Sequence, residues 1–113
     1  MAQYYSRSIL TAADAGVLLD DDWTAVHLSD SMQEVWIYAN NTISSDLTLN
    51  IGWCSTVSDD NNGSTITVGV PGQAGLLLVI PGLIIPSGFY IVANASTADS
   101  LILYGFVNKI EEV

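Results

Sequence analysis

A chain of 113 residues, half of them apolar, is one domain long and buries roughly two-thirds of its unfolded surface on folding. Only 12% of its residues are charged, about half the usual share, which excludes a disordered tail. Twelve carboxylates against Arg7 and Lys109 leave a net charge of −10, the wrong sign for contacting nucleic-acid phosphates or an anionic membrane surface.

Composition leaves two readings of the surface open. Either part of it is apolar because it meets another protein, or the chain is a well-packed monomer coated with Ser, Thr and Asn. The single cysteine, Cys54, excludes an intrachain disulfide. With one histidine, His27, it is too little for a structural zinc site.

Taken in chain order, the start (Met-Ala-Gln-Tyr-Tyr-Ser-Arg) lacks the basic and apolar regions of a signal peptide. A soluble protein made in a cytoplasm and not secreted is expected. Residues 1–20 show no period-two alternation and read as an N-terminal arm or a first strand, with the sandwich domain over 21–113. The arm reading makes Tyr4, Tyr5 and Arg7 candidate contacts with a neighbour, and Ala12-Ala13-Asp14-Ala15 is compatible with a helical turn. Asp20-Asp21-Asp22 and the later Asp59-Asp60-Asn61-Asn62 are the dense oxygen clusters. Neither has the alternating order of a known calcium loop, so whether they take a cation or are solvated loop tips stays open.

A strand is expected around residues 23–28. His27 sits within it as a surface or interface residue, with no nucleophile elbow elsewhere to serve. Over residues 34–40, Val35, Ile37 and Ala39 alternate with Trp36 and Tyr38. If the former point to a core, the latter two point outward as interface anchors; the alternative is that both faces are covered within the domain. Over residues 46–54, Leu47, Leu49, Ile51 and Trp53 form one row. Ile66, Val68 and Val70 form another.

The region from Gly75 onward reads as strand-like runs separated by Pro81-Gly82, Pro86-Ser87-Gly88 and Ala98-Asp99-Ser100. The longest apolar stretch is Leu76–Ile85, too short to span a bilayer as a helix. The last two runs are apolar on both faces: Tyr90 and Val92 oppose Ile91, while Ile102, Tyr104 and Phe106 oppose Leu101, Leu103 and Val107. A strand apolar twice over is buried twice, by its own core and by either an N-terminal arm of the same chain or a neighbouring subunit; the second alternative predicts self-association through Tyr90, Val92, Ile102, Tyr104 and Phe106. Recurrent turn signals, Asn62-Gly63 included, predict seven or eight strands in a single antiparallel β-sandwich of jelly-roll or immunoglobulin-like kind.

The order of motifs resembles a known group. Glu34-Val35-Trp36-Ile37-Tyr38-Ala39-Asn40-Asn41 is followed by Asp46-Leu47-Thr48-Leu49-Asn50-Ile51-Gly52-Trp53, then Val70-Pro71-Gly72-Gln73-Ala74-Gly75-Leu76 and Val79-Ile80-Pro81-Gly82-Leu83. Ala95-Ser96-Thr97-Ala98 and Tyr104-Gly105-Phe106-Val107-Asn108-Lys109-Ile110 complete it. Over residues 33–110 this is similar to small tailed-bacteriophage virion proteins of the capsid decoration (cement) type. The resemblance implies a β-sandwich that self-associates as a homotrimer and attaches to the major capsid protein on the outside of the head. It implies no catalytic residue, no cofactor and no metal, and a chain made in the host cytoplasm. Two rival classes stay open: a tail or fibre module binding a receptor or glycan, which would group exposed aromatics on loops, and a tail or head-closure component.

Overall fold

The computed structural model describes residues 3–10, 16–55 and 65–112, with the side chains of 3–9 and 111–112 excepted. The expected helical turn at Ala12–Ala15 and the Asp59–Gly63 turn lie outside the described residues. Nine strands appear among the described residues, and no helix. They are β1 (Gln3–Ile9), β2 (Val17–Leu18), β3 (Thr24–Leu28), β4 (Gln33–Asn41), β5 (Leu47–Cys54), β6 (Thr65–Val70), β7 (Leu76–Ile85), β8 (Tyr90–Ala95) and β9 (Leu101–Glu112).

They form two antiparallel sheets. One has the order β1-β9-β4-β7, with β2 pairing the same edge of β9 further along; the other has the order β3-β8-β5-β6. From β2 onward every connection passes to the opposite sheet except the β5–β6 hairpin. Since β1 and β2 share one edge, eight strand positions result, four per sheet. This is the strand order of a jelly roll and not of an immunoglobulin sandwich, whose sheets join three and four strands.

The core follows from period-two alternation. Along β4, Val35, Ile37 and Ala39 are fully buried while their neighbours Glu34, Trp36, Tyr38 and Asn40 are half-buried on the other face. Leu101, Leu103 and Val107 of β9 meet them from the same sheet, and Leu49 and Ile51 of β5 and Ile91 and Ala93 of β8 from the other. Gly105 sits opposite Ile37 in the β4–β9 ladder. A Cβ there would lie 2.3 Å from the Trp36 carbonyl oxygen, so glycine is what lets these strands pair.

Residues 3–9 pair with β9 along their whole length, from Gln3↔Glu112 to Ile9↔Phe106. They form a first strand of the sheet and belong to the sandwich.

Pro81-Gly82 is not a turn. It lies inside β7, which runs unbroken from Leu76 to Ile85 on the edge of its sheet. On an edge, Pro needs no partner for a missing N–H. Register shifts against β4 at Val35/Trp36 and Ile37/Tyr38, with Gly82 at φ 84°, absorb the irregularity.

Three side-chain clamps hold the crossovers. Asn41, 3% exposed, donates from Nδ2 to the carbonyls of Ser45 (2.8 Å) and Val70 (3.0 Å), and its Oδ1 accepts from the Ile43 amide (3.0 Å). Ser29 Oγ donates to the Pro86 carbonyl at 2.6 Å and accepts from the Phe89 amide at 3.0 Å. Asp46 Oδ1 accepts from the Gly72 amide at 3.2 Å, where the β6–β7 turn crosses the β4–β5 loop.

Gly105→Val is expected to cost about 2–3 kcal/mol, because the added side chain must push β9 off β4. A thermal melt should fall by roughly 10 °C or more, with Gly69→Val, where a Cβ meets nothing, as the tolerant control.

Candidate functional site

The two outer faces of the sandwich differ in chemistry. On the β3-β8-β5-β6 sheet the outer face carries a polar row, beside Leu28, Tyr90 and Val92 toward one end. Thr67 Oγ1 donates to Asn50 Oδ1 at 2.8 Å, and Asn50 Nδ2 donates to Asn94 Oδ1 at 3.0 Å. These three residues stand side by side in the register and form a hydrogen-bonded row across three strands.

The outer face of the β2-β9-β4-β7 region is apolar and aromatic. Trp36 pairs directly with Phe106, and Tyr38 with Tyr104. The Trp36 and Phe106 rings stack with centroids 6.2 Å apart and planes 12° from parallel. The indole also lies over Gly82, where a Cβ would approach Cζ2 to 3.1 Å. On β7, Leu78 stands beside Tyr38, Leu76 beside Asn40 and Ile84 beside Glu34. At the opposite margin Leu18 of β2 stands beside Ile102. Leu18, Leu76 and Ile84 are 50–59% exposed and Leu78 42%.

Glu34, whose carboxylate lies on this face, is held within it. Its Oε1 accepts from Trp36 Nε1 at 2.7 Å and from Asn108 Nδ2 at 3.1 Å. The Trp36 hydrogen bond, then that of Asn108, holds its carboxyl below the usual glutamate range. Across Trp36, Tyr38, Ile102, Tyr104 and Phe106 the face is therefore apolar and aromatic, with the Glu34 charge tied down by its two donors.

Several expected contact residues meet here. Trp36, Tyr38, Ile102, Tyr104 and Phe106 share this face. Tyr90 and Val92 do not join them, because β8 lies in the other sheet. Val92 is fully buried within the chain, so it has no surface for a partner; consecutive strands of a jelly roll part company at each crossover. Tyr4, Tyr5 and Arg7 lie on β1, paired with Glu111, Ile110 and Asn108; their side chains are outside the described residues. Sequence reasoning missed Leu18, Leu76, Leu78 and Ile84. The unbroken Leu76-Leu77-Leu78 run carries no alternation from which to read a face, and β2 is two residues long.

His27 also differs from expectation: it is 2% exposed. A bulge between Ala25 and His27 against β8 lets Val26 and His27 both turn inward, where strict alternation would have sent the imidazole out. His27 Nε2 is 2.6 Å from Gln33 Oε1, Gln33 Nε2 is 2.9 Å from Asp30 Oδ1, and Asp30 Oδ2 is 3.1 Å from Lys109 Nζ. The carboxylate only accepts, so the Gln33 amide nitrogen faces it and the Gln33 oxygen faces the ring. His27 therefore carries its proton on Nε2 when neutral. Burial pulls its pKa down, against the raising influence of Gln33 and Asp30. This chain links the two sheets and is a structural tie.

At the β2–β3 loop, Asp20 Oδ1 accepts from the Asp21 amide at 2.8 Å, and Asp20, then Asp22, raises the Asp21 carboxyl. Among the described residues no three His, Cys, Asp or Glu side chains are grouped as metal ligands would be, and no pocket opens.

A His with its folded pKa below the free value is protonated more readily in the unfolded chain. Stability therefore falls as pH drops below about 6.5 toward the folded pKa. Urea unfolding midpoints are expected to decrease from pH 7.5 to 5.5, while His27→Gln flattens that dependence; a wild-type midpoint constant over this interval would contradict the assignment.

Comparison of the chain with protein-family models, with curated proteins and with solved structures finds no match.

Proposed function

We propose that this chain is a structural component of a phage virion, of the decoration type, which stabilises the capsid exterior by bridging subunits of the major capsid protein. The observation that carries the reading is the contrast between the two outer faces. One carries a hydrogen-bonded polar row across three strands; the other is an aromatic and aliphatic surface with Leu18, Leu76, Leu78 and Ile84 exposed around it. A net charge of −10 favours solubility before assembly and opposes contact with packaged DNA. The motif order over residues 33–110 supports the same role, with self-association as a trimer.

A module for receptors or glycans is the rival. It would be expected to group its exposed aromatics on loops, whereas Trp36, Tyr38, Tyr104 and Phe106 lie on strands, on a flat sheet face.

Each anchor buried at an interface contributes about 2 kcal/mol or more, while the Trp36–Phe106 stack within the chain is worth about 1 kcal/mol. Trp36→Ala is therefore expected to reduce occupancy on purified particles more than it lowers the melting temperature of the free protein. Particles with and without the protein, heated side by side, should differ in the temperature at which DNA is lost. Equal temperatures would sink the decoration role and put the receptor-binding reading ahead.

A further inference from the structure

We propose that the open edge of β6 takes up an extended segment of another protein, which adds to the four-stranded β3-β8-β5-β6 sheet as a further strand and carries lysine or arginine at its ends. This surface is separate from the aromatic face, and the proposal stands whether or not the chain sits on a capsid.

Backbone direction identifies the chemistry. Thr48 of β5 turns its peptide groups toward β8: its amide donates to Ser96 Oγ at 3.0 Å, and its carbonyl accepts from the Ser96 amide at 2.9 Å. Successive residues of a strand point these groups to opposite sides, so Leu47, Leu49 and Ile51 bond to Val70, Val68 and Ile66. The N–H and C=O groups of Thr67 and Gly69 therefore face away from β5, on a side where no other described strand lies. Donors and acceptors at that spacing are matched by the backbone of another strand.

The side chains of the same edge lack a neighbour. Ile66 and Val68 pack against the core yet stay half-buried, whereas Ile51 and Leu49, which face them in the ladder, are fully buried. Apolar residues at alternate positions of an added strand would cover them.

The remaining margins of the two sheets are guarded. β7 carries Pro81 and Gly82 within it and shifts register twice against β4. β3 is bulged between Ala25 and His27, and the fourth margin is divided between β1 and the two-residue β2. Prolines, bulges and short strands are the means by which sheets refuse a further strand. β6 has none of them: six residues with no charge, no proline and no register shift.

Charge selects which protein donates the strand. A second copy would bring another net charge of −10 beside the first. Exposed Asp46 adjoins Leu47, at the end of the ladder where Val70 pairs. A segment with cationic ends is drawn to the same place, which favours a protein other than this chain.

The probe is a synthetic peptide, Lys-Thr-Val-Thr-Val-Thr-Lys, added to the full chain, with amide hydrogen exchange read by NMR. The Thr67 and Gly69 amides are expected to exchange about tenfold or more slowly once it binds, and binding should weaken as salt rises. Gly69→Pro removes an outward donor without removing a ladder bond, at a position where a Cβ meets nothing. It should weaken binding about tenfold or more while the melt stays cooperative. Gly69→Ala keeps the N–H and should bind as the wild type does. No binding at about 1 mM peptide overturns the proposal, as does binding that Gly69→Pro leaves unchanged. Slow exchange at Thr67 and Gly69 without peptide also overturns it. If that slowing grows with protein concentration the occupant is a second copy, and if it does not the chain covers its own edge. A peptide with glutamate at both ends should bind more weakly, and equal affinity would remove the basic partner. Particle occupancy enters none of these measurements, so the decoration role and this edge can fail separately.

Discussion

The pairing of β4 with β9 is the contact on which the remainder of the molecule depends. Nine register pairs join them, from Gln33↔Lys109 to Asn41↔Leu101, and their inward residues Val35, Ile37, Leu103 and Val107 form the floor of the core. Their outward residues make the Trp36–Phe106 stack and the Tyr38–Tyr104 pair. One ladder therefore sets both the interior and the aromatic outer face. It closes because position 105 is glycine, since a Cβ there would collide with backbone that cannot move aside without breaking the ladder.

Alternating between sheets burdens the connections. Each crossover leaves backbone groups at the ends of the sandwich without ladder partners, and a buried group so stranded costs about 1–3 kcal/mol. Small polar side chains supply the missing bonds. Asn41 satisfies two carbonyls and one amide where β4 passes to β5, and Ser29 ties the end of β3 to the β7–β8 connection. The Asp20 carbonyl takes the Ala95 amide, and Leu19 exchanges backbone bonds with Leu101 and Asp99. The polar residues among the buried set are thus concentrated at the ends of the sandwich and not within its middle.

How much of this was legible depended on local pattern. Strands with clean alternation, β4, β5 and β6, could be read with their faces, because one residue in two is apolar and a half-buried strand needs just that. The outward direction of Trp36 and Tyr38 followed from it. Where alternation was absent, the reading failed for identifiable reasons. Pro81-Gly82 carries the local chemistry of a turn, and only the edge position of β7 lets it remain strand. His27 was turned inward by a one-residue bulge that no local residue announces. Tyr90 and Val92 share with Ile102, Tyr104 and Phe106 a strand pattern apolar on both faces, and that pattern does not say which sheet a strand joins. Sheet membership in a jelly roll is set by long-range pairing, which period-two patterns do not encode.

The order in which the strands occur also governs when the molecule can come into being. β9 is the central partner of its sheet, joined to β1, β2 and β4, yet it follows the other eight described strands along the chain. Until residues 101–112 are made, β1 and β2 have no ladder to join and β4 has only β7. Domains generally fold as units during synthesis, and here the decisive strand comes after the eight it completes. Until β9 is made, the inward apolar residues of β4 lack the neighbours that cover them from its far side. The aromatic outer face comes into existence in the same step as the interior, so a chain that lacks β9 has neither.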